Sequence, residues 1–132
     1  MDAGYSGTPQ LTKLGIRPGV RLDLVGVPDG WRFEGDPAGV EHVGPDGHAD
    51  VIVAFCRSAA DVELHVTALG ERIRPAGALW LAWPRKAAGH VSDITENLLR
   101  EVALPLGLVD TKVAAIDTDW SGLKLVWRRE NR

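Results

Sequence analysis

Two nearly uninterrupted apolar runs dominate the hydrophobic pattern of the chain: "DVIVAFC" from Asp50 to Cys56 and "ALWLAW" from Ala78 to Trp83. Runs of this kind, without polar alternation, predict strands buried on both faces, as in a parallel sheet. Between them Val62, Val66, Leu69 and Ile73 recur at helical spacing, which predicts a helix with one apolar stripe. Ser58 and Asp61 supply its start, because the hydroxyl can accept from a first-turn N–H and the carboxylate favours the positive helix end. Pro75 and Gly77 stop it.

The flanking segments repeat the alternation. Val20 to Val27, "VRLDLVGV", reads as a first strand ended by Pro28, and Gln10 to Ile16 as a short helix stopped by Gly15 and Pro18. From Pro28 to His48 glycine and proline are frequent, and "GVEHV" offers at most one short strand. After the second run, Ser92 or Asp93 is expected to cap a helix whose buried face is Ile94, Leu98, Leu99 and Val102, with Glu96 in its first turn. Pro105 and Gly107 end it. Val109 to Asp117 and Leu123 to Arg129 are predicted strands joined by "TDWSG" as an antiparallel hairpin. The fold class that follows is α/β: a Rossmann-like three-layer sandwich, with a mostly parallel sheet and a C-terminal antiparallel hairpin. One domain spans 1–132, with 1–9 as an N-terminal arm.

Composition narrows the function classes. A chain of 132 residues can bury a core without disulfide or metal staples. A formal charge of −3 argues against a surface that grips nucleic acid everywhere, while leaving room for a local basic patch. The single cysteine, Cys56, allows no internal disulfide, and neither a leader-like N-terminus nor a membrane-length apolar run is present, so a cytoplasmic protein away from the membrane is expected.

In an open parallel sheet, ligands gather outside the carboxyl ends of the strands. Three segments are expected there: Cys56 to Ser58, Trp83 to Asp93, and Asp119 to Lys124. Arg85, Lys86 and Lys124 would then direct positive charge at the helix start near Ser92, with Ser121 adding a hydroxyl, and together they would hold a small anion. Tyr5, Trp83, His90 and Trp120 could line the same place. The competing reading makes the cations solvated loop residues, Ser92 a simple cap, and the tryptophans closures of the core. Trp80 and Trp127, inside strands, are assigned to the core.

Other candidates carry less. Cys56 ends a buried strand with no base nearby in sequence and reads as a small hydrophobe. His42, His48, His65 and His90 lack zinc-ligand spacing, so no metal site is expected. Asp117 and Asp119 sit where a turn uses aspartate for its own backbone bonds. Neither a Walker loop nor G-x-G-x-x-G occurs, and no catalytic residue is assigned.

"RPGVRLDLVGV" resembles the opening of a class I methyltransferase domain, where a strand leads into a glycine-rich turn for S-adenosylmethionine, and the closing hairpin is similar to that fold's end. Gly26 and Gly30 are kept, but Val27 and Pro28 stand where close backbone approach would need glycine. Only about 25 residues separate this strand from "DVIVAFC", too few for two full β-α units. No cofactor is therefore expected, S-adenosylmethionine being disfavoured. Across nearly the whole chain, "YSGTP", "LWLAWPRK" and "DWSGLK" resemble a family of small bacterial proteins, common in actinobacteria, catalogued as a domain of unknown function. The preferred reading is a non-catalytic Rossmann-like module that binds a protein partner or a small anionic ligand. The alternatives are a reduced methyltransferase-like enzyme and a nucleic-acid-binding accessory protein.

Overall fold

In the computed structural model, which describes residues 8–132, one sheet organises the chain. Its strands are β1 (Arg21–Val25), β2 (Glu41–His42), β3 (Val51–Phe55), β4 (Ala78–Pro84), β5 (Leu108–Ala115) and β6 (Trp120–Trp127), in the order β2-β1-β3-β4-β6-β5. The helices are α1 (Gln10–Leu14), α2 (Ala59–Leu69) and α3 (Glu96–Ala103). β1 to β4 are mutually parallel, and β6 runs antiparallel to both β4 and β5. The predicted α/β architecture with its closing antiparallel pair is the one observed.

The apolar runs are central strands, and every residue of β3 is buried. Ile52, Ala54 and Cys56 join Leu79, Leu81 and Trp83 in a core under α2 and α3. Val51, Val53 and Phe55 point the other way with Trp80 and Ala82, beneath α1. The predicted stripe Val62, Val66, Leu69 and Ile73 is buried, but Ile73 lies in a short 3-10 turn, Gly70–Ile73, that tightens the helix end. The second face is covered more thinly. Besides the five-residue α1, its cover is irregular chain between β1 and β2, where Trp31 and Phe33 pack edge-on at 5.0 Å and Trp31 also meets Phe55 at 4.9 Å.

Local differences from the sequence reading have identifiable causes. α3 begins at Glu96, because the Thr95 hydroxyl accepts from Leu98 N (3.1 Å) and caps it. Ser92 accepts from Ile94 N (3.1 Å) in the preceding turn, and Asp93 accepts from Ala59 N (2.9 Å) at the start of α2. The residue expected to cap its own helix thus caps its neighbour. The hairpin turn is Ile116 to Asp119 rather than "TDWSG"; Trp120, Ser121 and Gly122 already pair with Pro84, Trp83 and Ala82. The strand in "GVEHV" is two residues long.

A side chain ties β1 to the loop that follows its short neighbour. Arg72 meets Asp23 of β1 at 2.9 Å and donates to Gly47 O (2.8 Å) and Gly44 O (2.7 Å). Both charged side chains are largely buried, at 10% and 17% exposure. Removing one partner leaves the other desolvated and unpaired. Arg72→Ala is expected to lower the unfolding free energy by about 3 kcal/mol, read by urea denaturation; a loss below about 1 kcal/mol, the scale of a surface pair, would show that the clamp is dispensable.

Candidate functional site

The strand order makes the carboxyl edge of the sheet two-sided. β1 connects outward to β2, and the chain then crosses back to β3 on the other side of β1, so the topological switch lies between β1 and β3. Here the backbone closes on itself. Gly26 follows β1 at φ +68°, and a Cβ there would stand 2.9 Å from Phe55 O, the end of β3. Arg57 then donates from its guanidinium to Gly26 O (3.3 Å) across the gap. No helix follows Gly26; the next one in the chain is α2.

An open space at this edge lies two strands away. A pocket of about 580 Å³ is lined by Trp83 and Arg85 at the end of β4, Lys86 and Ala87 beyond it, Ser121 of β6, and Ile94, Thr95, Glu96, Asn97 and Arg100 around the first turns of α3. Pairing of Trp83 with Ser121 puts the indole and the hydroxyl side by side. The segments "WPRK" and "WSGLK", far apart in sequence and expected to be neighbours, meet in part: Ser121 reaches the pocket and Lys124 does not.

Its cations differ in how firmly they are held. The Arg85 guanidinium reaches Thr118 O (3.3 Å) and Asp117 O (3.5 Å), so it braces the β5–β6 turn while lining the pocket. Arg100 is paired: it donates to Asp110 (2.9 Å), Glu96 (3.1 Å) and Asn97 (3.3 Å), and the bonds to Asp110 and then Glu96 raise its pKa. Lys86 is exposed and has no carboxylate within ion-pair distance among the described residues. It is the uncommitted charge of the site.

Of the sequence candidates, Trp83, Arg85, Lys86 and Ser121 therefore meet. Lys124 does not join them: it pairs with Trp80 in mid-sheet, on the α1 face, and lines a separate pocket at the opposite end of the strands. The alternation of β6 that buries Leu123 and Leu125 under α2 and α3 turns Lys124 away. Ser92 is spent on its turn. His90 stands 3.0 Å from Asp119, both exposed, and ties the loop after β4 to the hairpin turn. Trp120 packs perpendicular to Phe55 at 5.1 Å on the α1 face. Tyr5 lies outside the described residues. Arg100 and the Thr95 cap were missed; the Glu96–Arg100 spacing announces an ion pair, but not that it faces a pocket.

The other chemistry-bearing residues are occupied. Asp117 Oδ1 accepts from Asp119 N and Trp120 N (both 2.8 Å), and its Oδ2 accepts from the Trp31 indole (2.8 Å). Trp80 and Trp127 are buried and donate to Leu14 O (3.2 Å) and Gly70 O (2.9 Å). Among the described residues no three His, Cys, Asp or Glu side chains converge where a metal could be held, and no helix is long and apolar enough to cross a membrane. The Cys56 thiol is buried and its pKa is pushed up to about 12, chiefly by burial, then by Asp61, with Arg57 opposing.

No family model matches the chain, and no curated protein sequence matches it. Its fold recurs among solved structures. It is similar to a SAM dependent methyltransferase from Aquifex aeolicus, at TM-score 0.57 and 15% identity, over 87% of this chain and 86% of that one. It is similar to the fibrillarin pre-rRNA processing protein of Methanococcus jannaschii, at TM-score 0.56 and 11% identity, over 85% of this chain and 68% of that one. A protein in the NADB-Rossmann superfamily from Streptococcus agalactiae gives TM-score 0.55 and 11% identity, over 96% of this chain and 70% of that one. At such identities the likeness is one of fold: a Rossmann-like sheet of the methyltransferase kind.

The thiol makes a pH prediction. A folded pKa near 12 against 9.0 keeps the native thiol neutral while the unfolded one ionises. That contribution to stability is complete below pH 9.0 and is lost as pH rises towards 12, at about 1.4 kcal/mol per pH unit. Denaturant midpoints measured between about pH 8 and about pH 10.5, which covers the onset of that loss, should fall less steeply in Cys56→Ala than in the parent; parallel curves would rule the linkage out.

Proposed function

We propose that this chain is a ligand-binding module built on a methyltransferase-type fold, taking a small anion in the pocket between β4, β6 and the start of α3. The observation that carries the reading is the convergence of Arg85, Lys86 and Ser121 with the first turn of α3 around one cavity of about 580 Å³. A helix start favours negative charge, Lys86 adds an uncommitted cation, and the Ser121 hydroxyl can donate. Trp83 forms an apolar wall, which suits an anion carried on an organic body. Arg100 is shared between Glu96 and Asp110, which leaves that trio one negative charge, and Arg85 and Lys86 outweigh it on the facing wall.

A second reading is an S-adenosylmethionine-dependent enzyme, and the fold likeness is what favours it. The residues present do not fit that cofactor at the switch point. Gly26 is used to let β1 and β3 touch, rather than to admit a ligand, and Arg57 occupies its carbonyl. A helix directly after β1, whose N-terminus would meet a cofactor's charge, is absent from the described residues. No catalytic step is assigned.

Thermal unfolding with separate additions of S-adenosylhomocysteine and inorganic pyrophosphate tests both readings, since a ligand selective for the native state must raise Tm. Pyrophosphate is expected to raise it, and Lys86→Ala to weaken that binding by about tenfold, the loss of one charge-assisted contact. An increase with S-adenosylhomocysteine that is unchanged in Lys86→Ala would overturn the module reading in favour of the enzyme.

A further inference from the structure

The sheet carries a second basic site, remote from the one above. On the α1 face, Lys112 of β5 and Lys124 of β6 are directly paired across the strands. Like charges set opposite each other on one face of a sheet are destabilising. Among the described residues neither lysine, nor Arg17 after α1, has a carboxylate within ion-pair distance. Lys112 donates to Lys13 O (3.3 Å) at the carboxyl end of α1, which accounts for its direction but does not neutralise Lys124. A half-buried lysine opposite another cation, with no partner, is a cost that the fold of β6 does not require.

Lys124 opens into a pocket of about 460 Å³ at the amino end of the parallel strands. Arg17 lines one side, Val20, Val51, Ala78 and Val126 give it apolar walls, and Asp50 is its one carboxylate, accepting from Arg21 N (2.9 Å). Two cations line the pocket against one carboxylate, and Lys112, outside the lining but opposite Lys124, adds a third positive charge beside it. A phosphate monoester carries close to two negative charges near neutral pH, whereas a carboxylate carries one.

We infer that this amino-edge pocket binds a small organic phosphate, its phosphate between Arg17 and Lys124 and its apolar body against Val20, Val51 and Val126. The glycines of the rim do not contribute amides: Gly15 N and Gly19 N already donate to Thr12 O and Gly39 O. Recognition therefore rests on the two side chains, and Lys112 adds field rather than contact.

Amide chemical-shift titration of the whole chain with phenyl phosphate, and with benzoate as a singly charged counterpart, reads the site directly. Phenyl phosphate is expected to shift the Val20, Val51, Ala78 and Val126 amides at about millimolar concentration. Lys124→Gln should weaken that binding by about tenfold, and Arg17→Gln likewise; Lys86→Ala should leave it unchanged. In ligand-free protein Lys124→Gln should keep or raise Tm, because it removes the opposed charge. The inference is overturned by absence of binding, by loss in Lys86→Ala with retention in both other variants, or by equal affinity for benzoate. A lower Tm in Lys124→Gln overturns it as well, since the lysine would then be serving the fold.

Discussion

The double-sided burial of β3 and β4 is the constraint on which the rest depends. A parallel strand that is apolar on both faces must be covered on both, and 132 residues provide few helices to do it. One face receives α2 and α3, whose stripes are supplied by the sequence. The other receives α1 and a run of chain that folds back through Trp31 and Phe33. Aromatic rings cover a large area per residue, so an irregular segment can do part of a helix's work. Asp117 fastens that segment by accepting from the Trp31 indole while also ordering the hairpin turn. One carboxylate thereby links the thin layer to the far end of the sheet.

The same economy changes where the carboxyl edge of the sheet opens. Where doubly wound sheets place ligands at the switch point, this chain brings β1 and β3 into contact through Gly26 and spans the junction with Arg57. Space reappears two strands on, where β4 ends beside the antiparallel β6 and α3 starts. That geometry separates a fold similar to methyltransferases from the site those folds would suggest.

Much of this was legible in the residues, for physical reasons. The continuous runs of β3 and β4 and the stripe of α2 are one-dimensional patterns, so strand, helix and parallel pairing followed from them. The meeting of Arg85, Lys86 and Ser121 followed from topology, because the hairpin had to begin where β4 ends. What failed depended on facts that period and propensity do not encode. Lys124 was assigned to the edge by its nearness to "WSG", but alternation along β6 and a turn placed earlier than expected moved it to mid-sheet. Asp93 looked like a cap for α3 because the pattern cannot tell which helix start a carboxylate will reach. The Arg72–Asp23 clamp joins residues on separate elements and has no local signature at all.

The two ends of the strand order also matter. β2 offers only two residues, and the pairing of β5 shifts register between Asp110 and Lys112, a bulge that places a lysine on the outermost strand. Short, kinked and charged borders are poor templates for another chain's backbone. Aggregation by sheet extension is thus discouraged at both borders, and encounters with other molecules are directed to the faces and pockets.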